Sequence, residues 1–232
     1  MTNDLTIQID DIIARRSLLK HPFYQAWNNG DLPIESLKGY ASQYYHFERS
    51  YPTFLSGLHH RCEDPSVRQL LLDNLWDEEH GENNHRAMWL DFCSHLGIGL
   101  DQVEVTEVHP KTQELLNTYA EVCNEGSFQE GLAVTYAYEA QVPKVVLEKI
   151  RGLKDLYGFD HPDALKFFEV HSTLDEEHSA KEAQALATQT ALDDESAVET
   201  AVQRGLEAWW GFLDGVEERR RELKLVGDPS RA

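Results

Sequence analysis

His171, Asp175 and His178 stand at i, i+4 and i+7 within His171-Ser172-Thr173-Leu174-Asp175-Glu176-Glu177-His178. On an α-helix this spacing keeps the three side chains within about 40° of one line, so all project from one face over two turns. Turned outward, such a face is only a solvated stripe. Turned inward, it places ionisable groups where burial costs several kcal/mol unless they are paired or bound to a metal. The motif therefore has the shape of half a metal site. The spacing alone arises by chance about once in ten chains of this length and composition, so it needs partners elsewhere.

Partners exist. Glu78 and His85 are seven residues apart in what reads as one long helix, and so share a face. Glu79, Glu82 or His80 could serve in place of Glu78, and Glu82-x2-His85 has the spacing of ferritin-like sites. Glu139 is a lone acid in a third segment of helical pattern. Singly, each residue reads as a solvated charge or a hydrogen-bonded core histidine; placed together on three long helices, they make three imidazoles and three carboxylates. That set can hold two divalent metals, and mixed nitrogen and oxygen donors suit iron or manganese. A bundle with such donors on facing helices is the architecture of dimetal oxygen chemistry.

The rest of the chain reads as the scaffold. With 232 residues and no Pro/Gly/Ser-rich linker, one domain over 1–225 is expected, with a frayed tail over 226–232. The formal charge of −20 opposes binding to nucleic acid or an anionic membrane and is compatible with cation uptake, or simply with a soluble surface. No basic start with an apolar run and no membrane-length apolar stretch is present, which points to the cytoplasm. Cys62, Cys93 and Cys123 are odd in number and widely spaced, so they read as buried small hydrophobes.

Helical periodicity predicts an all-α chain of seven or eight helices. They run over about 6–20, 22–29, 31–62 with a kink at Pro52, 66–96, 111–124, 127–156, 161–190 and from 193 to an end at Arg219-Arg220-Arg221, with a connecting loop over 100–110. Pro143 has no N–H, so the carbonyl of Glu139 loses its helical partner and the helix should distort there.

Asn74-Leu75-Trp76-Asp77-Glu78-Glu79-His80-Gly81, Asn84-His85, Trp89, Tyr138-Glu139-Ala140-Gln141-Val142-Pro143 and His171-x3-Asp175-x2-His178 together resemble a known family. It is that of the Chlamydia protein associating with death domains, haem-oxygenase-like dimetal oxidases related in fold to the TenA and PqqC proteins. The likeness spans about residues 5–225. It implies a haem-oxygenase-like bundle and a homodimer. It also implies Glu78, rather than Glu79 or Glu82, with His85, Glu139, His171, Asp175 and His178 as ligands to an Fe/Fe or Fe/Mn pair.

The activity implied is oxygen-dependent, reductant-requiring synthesis of 4-aminobenzoate for folate, with the protein as its own substrate. Tyr24 would supply the ring and carboxyl carbon, and Lys149 the amino nitrogen. Tyr40, Tyr138 and Trp89 match aromatics that would relay electrons or radicals. One departure is visible: Phe167 stands where a tyrosine is expected. Without the resemblance, Tyr24 beside Phe23 and Trp27 reads as core packing. Lys149 lies ten residues beyond Glu139, about 15 Å along a straight helix, and reads as a surface lysine. The competing functions are a dimetal oxygenase acting on an external amino acid or fatty acid, and a metal-free TenA/PqqC-like or interaction protein. Nothing in the sequence identifies an electron donor or a death-domain contact.

Overall fold

The computed structural model describes residues 4–190 and 194–226. They form α1 (Asp4–Arg15), a 3-10 turn (Leu18–Lys20), α2 (Pro22–Asn29), α3 (Ile34–Glu48), α4 (Tyr51–Arg61), α5 (Pro65–Glu79) and α6 (His85–His95). The chain continues through α7 (Leu100–Glu104), α8 (Pro110–Asn124), α9 (Phe128–Glu139), α10 (Val142–Asp155), α11 (Pro162–Gln189) and α12 (Glu195–Val226). No strand occurs among the described residues. The all-α expectation holds, but with twelve α-helices among the described residues in place of seven or eight.

The difference comes chiefly from three predicted long helices that each divide. Pro52 occupies the second position of α4 and leaves the carbonyl of Glu48 without its i+4 donor, so the chain breaks at Arg49-Ser50 instead of bending. Pro143 does the same after Glu139, and α10 restarts behind Gln141. The gap is tied down by Gln141, whose Nε2 donates to Ala137 O at 2.9 Å while its Oε1 accepts from Leu18 N at 3.0 Å. The third break, over 80–84, contains Gly81 at φ +81°, a conformation that costs a side-chain-bearing residue free energy. Asn84 then caps α6, accepting from Ala87 N at 2.9 Å and donating to Gly81 O at 2.9 Å.

Other boundaries follow local chemistry. His21-Pro22, His109-Pro110 and His161-Pro162 open α2, α8 and α11 alike, each imidazole accepting from the backbone N–H two residues on. Ser127 and Glu130 close a capping box at α9. The expectation of a connecting loop over 100–110 holds only for 105–109: Leu100–Glu104 form α7 and Pro110 already belongs to α8. Asp193 and the tail after 226 lie outside the described residues, and α12 extends to Val226.

α11 is the central rod, in contact with α1, α5, α6, α9 and α10, while α12 lies across α1, α2, α3, α8 and α9. One apolar cluster runs from Leu5 to Val216, with Trp27, Tyr40, Tyr45, Trp89 and Phe168 fully enclosed. Cys62, Cys93 and Cys123 are free and buried. Burial pushes the Cys93 and Cys123 thiols up to about 12, which keeps them inert at neutral pH. None of the described helices is long and apolar enough to cross a membrane.

Candidate metal centre

The inner face of α11 buries His171, Asp175 and His178 among α5, α6 and α9. The expectation that Glu78 and His85 share one helix face is corrected: Glu78 is the penultimate residue of α5 and His85 the first of α6. The loop, not helical periodicity, brings them together, with Glu78 Oε2 3.0 Å from His85 Nδ1. That nitrogen makes no aligned hydrogen bond, so the contact is ionic. Glu139 is the last residue of α9, placed at the break that Pro143 makes. Three of the six donors in the expected set thus sit at helix ends.

Hydrogen bonds orient these side chains. His171 Nδ1 lies 2.7 Å from the carbonyl of Phe167, which can only accept, so Nδ1 carries the proton and Nε2 keeps its lone pair. His178 Nε2 lies 3.2 Å from Asp77 Oδ2, leaving Nδ1 as its lone-pair nitrogen. Glu139 Oε1 accepts from the Tyr51 hydroxyl at 2.5 Å and from Asn74 Nδ2 at 2.7 Å, while Oε2 is buried with no partner. The rings of His85 and His171 are 4.2 Å apart.

The electrostatics are those of a site short of cations. Burial raises the carboxyl pKa values of Glu139 and Asp175, and each feels the charge of Glu78 in the same direction. Burial holds His171 well below the ordinary imidazole range. For His85 burial is the largest single effect and lowers the pKa, but the neighbouring carboxylates Glu78, Glu48 and Asp77 together outweigh it and lift the pKa to about 9.

Two buried carboxylates escaped the sequence reading. Glu182, one turn beyond His178 on α11, accepts from Thr135 Oγ1 at 3.0 Å with one oxygen and leaves the other unpaired. Its place four residues after His178 and seven after Asp175 was the signal available for it. Glu48 ends α3, and a carboxylate oxygen of it and one ring nitrogen each of His85 and His171 all lie within 4.8 Å of one another. Burial, with Glu78 nearby, pushes its carboxyl up to about 8. Nothing in His46-Phe47-Glu48, inside an aromatic run, marked it. A cavity of about 380 Å³, lined in part by Glu48, Glu78, Asn84 and Arg86, reaches this side of the cluster.

Beside the cluster, the chain buries Tyr24, Tyr40 and Lys149. Lys149 is only 3% exposed, which corrects its reading as a surface lysine. Its Nζ donates to Tyr40 OH at 2.7 Å, and Tyr40 OH is 3.1 Å from Tyr24 OH. Burial lowers the amine to about 7, with Glu48 opposing. A second phenol pair, Tyr44 and Tyr138, meets at 2.5 Å. Trp89 packs 4.3 Å from Tyr44, and Phe167 packs 4.0 Å from His171, in ring-centroid distance.

The chain is similar to known proteins in sequence and in fold. The chain is 41% identical over 228 residues to a 4-aminobenzoate synthase of Nitrosomonas europaea, covering 94% of this chain and 92% of the relative. It is 38% identical to a 4-aminobenzoate synthase of Chlamydia trachomatis, covering 89% of each. Among solved structures it resembles a TenA homologue from Pseudomonas syringae (TM-score 0.79, 15% identity, 94% of each chain). It also resembles a CADD-like protein from Nostoc punctiforme (TM-score 0.77, 20% identity, 93% of this chain and 96% of that one). A family described as an iron-containing redox enzyme matches residues 38–210. The donor set fits such a metal: Glu48, His85 and His171 bring ligand atoms within 4.8 Å of one another, and Glu48, Glu139 and Glu182 each keep a buried carboxylate oxygen without a hydrogen-bond partner. This chain is a member of the haem-oxygenase-like family of iron-containing redox enzymes.

Proposed function

We propose that the chain is an oxygen-dependent 4-aminobenzoate synthase that consumes its own Tyr24, with Lys149 as the source of the amino nitrogen. The observation that carries this reading is the buried hydrogen-bonded line Lys149–Tyr40–Tyr24 beside the donor cluster. Relatives named 4-aminobenzoate synthase, at up to 41% identity, support it. Glu78, His85, Glu139, His171, Asp175 and His178 would hold two divalent metals, Fe/Fe or Fe/Mn. When bound, the pair supplies oxidising power drawn from dioxygen and an external reductant, which breaking the unactivated Cα–Cβ bond of a tyrosine requires.

The protein's own residues prepare the reactants. Burial keeps the Tyr24 phenol protonated at neutral pH and shields its ring from water. The same burial leaves much of Lys149 as a free amine near pH 7, with a lone pair available for bonding to carbon. Tyr40, hydrogen-bonded to both, is placed to pass a proton between the amine and the phenol. Tyr51 and Asn74 fix the orientation of Glu139, and the Phe167 carbonyl fixes the tautomer of His171. Tyr138, through Tyr44, and Trp89 line the space between these two regions and serve as relays. The homodimer and the cytoplasmic location belong to the same proposal, the homodimer supported by the fold likeness.

Peptide mass spectrometry before and after reaction with iron, reductant and oxygen tests the reading. A side chain should vanish at residue 24 in step with product, and an intact Tyr24 peptide alongside product would refute the sacrificial route. The cavity of about 380 Å³ beside Glu48 and Glu78 favours a second reading, in which a small external amino or fatty acid is oxidised. Under that reading Tyr24→Phe leaves turnover of the added substrate intact.

A further inference from the structure

We propose that Glu48 is a seventh ligand of the metal centre, binding the ion held by Glu78, His85 and His171. The inference rests on the reading of this interior as a metal site. Glu48 is the C-terminal residue of α3, only 4% exposed, and its Oε1 has no hydrogen-bond partner. A buried carboxylate kept for structure is normally paired. Glu217 shows what that looks like in this chain: equally buried, it accepts from Arg220 Nε and Nη2 at 2.6 Å and from Arg221 Nε at 3.1 Å. Glu48 has no such clamp. The nearby cation, Lys149, directs its Nζ to the hydroxyl of Tyr40.

What Glu48 does have is a place among imidazoles. Its donor oxygen and donor nitrogens of His85 and His171 all lie within 4.8 Å of one another. Donors held about 2.1 Å from a single first-row ion lie roughly 3–4.2 Å apart, so small side-chain rotations bring these three onto one cation. Glu78, the fourth donor of this group, is in contact with His85. Glu48 and Glu78 also both line the cavity of about 380 Å³, so an ion entering from that side meets these two carboxylates together. The centre then becomes asymmetric, with two carboxylates and two imidazoles on the ion nearer Lys149.

Cobalt(II) tests this without oxygen chemistry. The full-length protein, Glu48→Gln and Glu48→Asp are titrated anaerobically with cobalt, and bound metal is measured by equilibrium dialysis and visible absorption. Wild type should take up two ions per chain. Glu48→Gln, which keeps shape and loses charge, should bind one of them ten- to hundredfold more weakly with an altered absorption band, and Glu48→Asp should fall between. Wild-type affinity and band shape in a folded Glu48→Gln overturn the proposal while leaving the metal centre standing. If that variant does not fold, unchanged affinity and spectrum in Glu48→Asp overturn it equally. Wild type that binds no cobalt removes both this inference and the metal reading beneath it.

Discussion

Lys149 of α10 donates its Nζ hydrogen to the phenol oxygen of Tyr40 on α3 at 2.7 Å, across 109 positions of sequence. This bond gives the buried amine a partner that is neutral, so nothing nearby compensates a full positive charge except Glu48. The amine is held at about 7 by burial, and its free-base fraction therefore rises as pH passes through about 7. Single-turnover yield of 4-aminobenzoate should climb through that window, and Lys149→Arg, charged at every pH, should lose product by a factor of at least ~100. Yield independent of pH from 6 to 8 would remove Lys149 as a donor that must be neutral.

Tyr24 and Tyr40 share a hydrogen bond but should fail differently on substitution. Tyr24→Phe should abolish product. Tyr40→Phe removes only the proton path and should slow formation by ~10². Both variants should retain wild-type metal content, since neither phenol touches the donor cluster. Metal analysis run beside product assays checks this split.

Glu139 is held by Tyr51 and Asn74, so these residues should tune the metal without binding it. Tyr51→Phe or Asn74→Ala should weaken metal affinity by ~10- to 100-fold, the usual effect of losing a group that orients a ligand. His171→Ala should cost more, removing at least one ion per chain. Chelator-competition titrations rank the three, and near-zero metal in wild type would return the chain to the metal-free reading.

Metal-free protein should lose stability as pH rises from 6.5 to 8. The folded-state pKa of Glu48 is raised to about 8, and those of Glu139, Asp175 and Glu182 are also raised, so the folded state binds more protons than the unfolded one across this range. His85, raised to about 9 against burial by the combined charges of Glu78, Glu48 and Asp77, acts in the same direction. Lys149, lowered to about 7, opposes them above that pH, and the depressed histidines His21, His46 and His171 act only below the ordinary imidazole value. Thermal melts should therefore show a falling midpoint with rising pH, and bound Co(II) should flatten or reverse the slope. A rising midpoint without metal would contradict the buried carboxylates.

Periodicity alone makes the chain all-helical, and the i, i+4, i+7 spacing of His171, Asp175 and His178 places them on one face of α11, where the structure puts them. Both features are local, since a helix satisfies its own backbone and its face is set by residues a turn apart. The prolines at 52 and 143 marked disturbance, but whether a proline bends a helix or ends it depends on what packs against the freed carbonyl. The contacts of Gln141 with α9 and with Leu18 are of that kind. The same reasoning hid the relation of Glu78 to His85. A seven-residue interval reads as a helix face, and only the Gly81 turn shows that a loop spans it.

Sequence by itself determined the all-helical class, the shared face of His171, Asp175 and His178, and the identity of the residues that the resemblance singled out. Tertiary structure decided which buried groups lack partners. Glu48 carries no local pattern comparable to the α11 motif, and Glu182 only extends that motif by a turn, because the cost of a buried carboxylate depends on neighbours from other helices. Lys149 makes the same point. Counted along a straight helix it lies about 15 Å from Glu139, yet the break between α9 and α10 redirects the chain, and the amine ends beside Tyr40 and Tyr24 because those three polar groups satisfy one another in an interior that offers them little else.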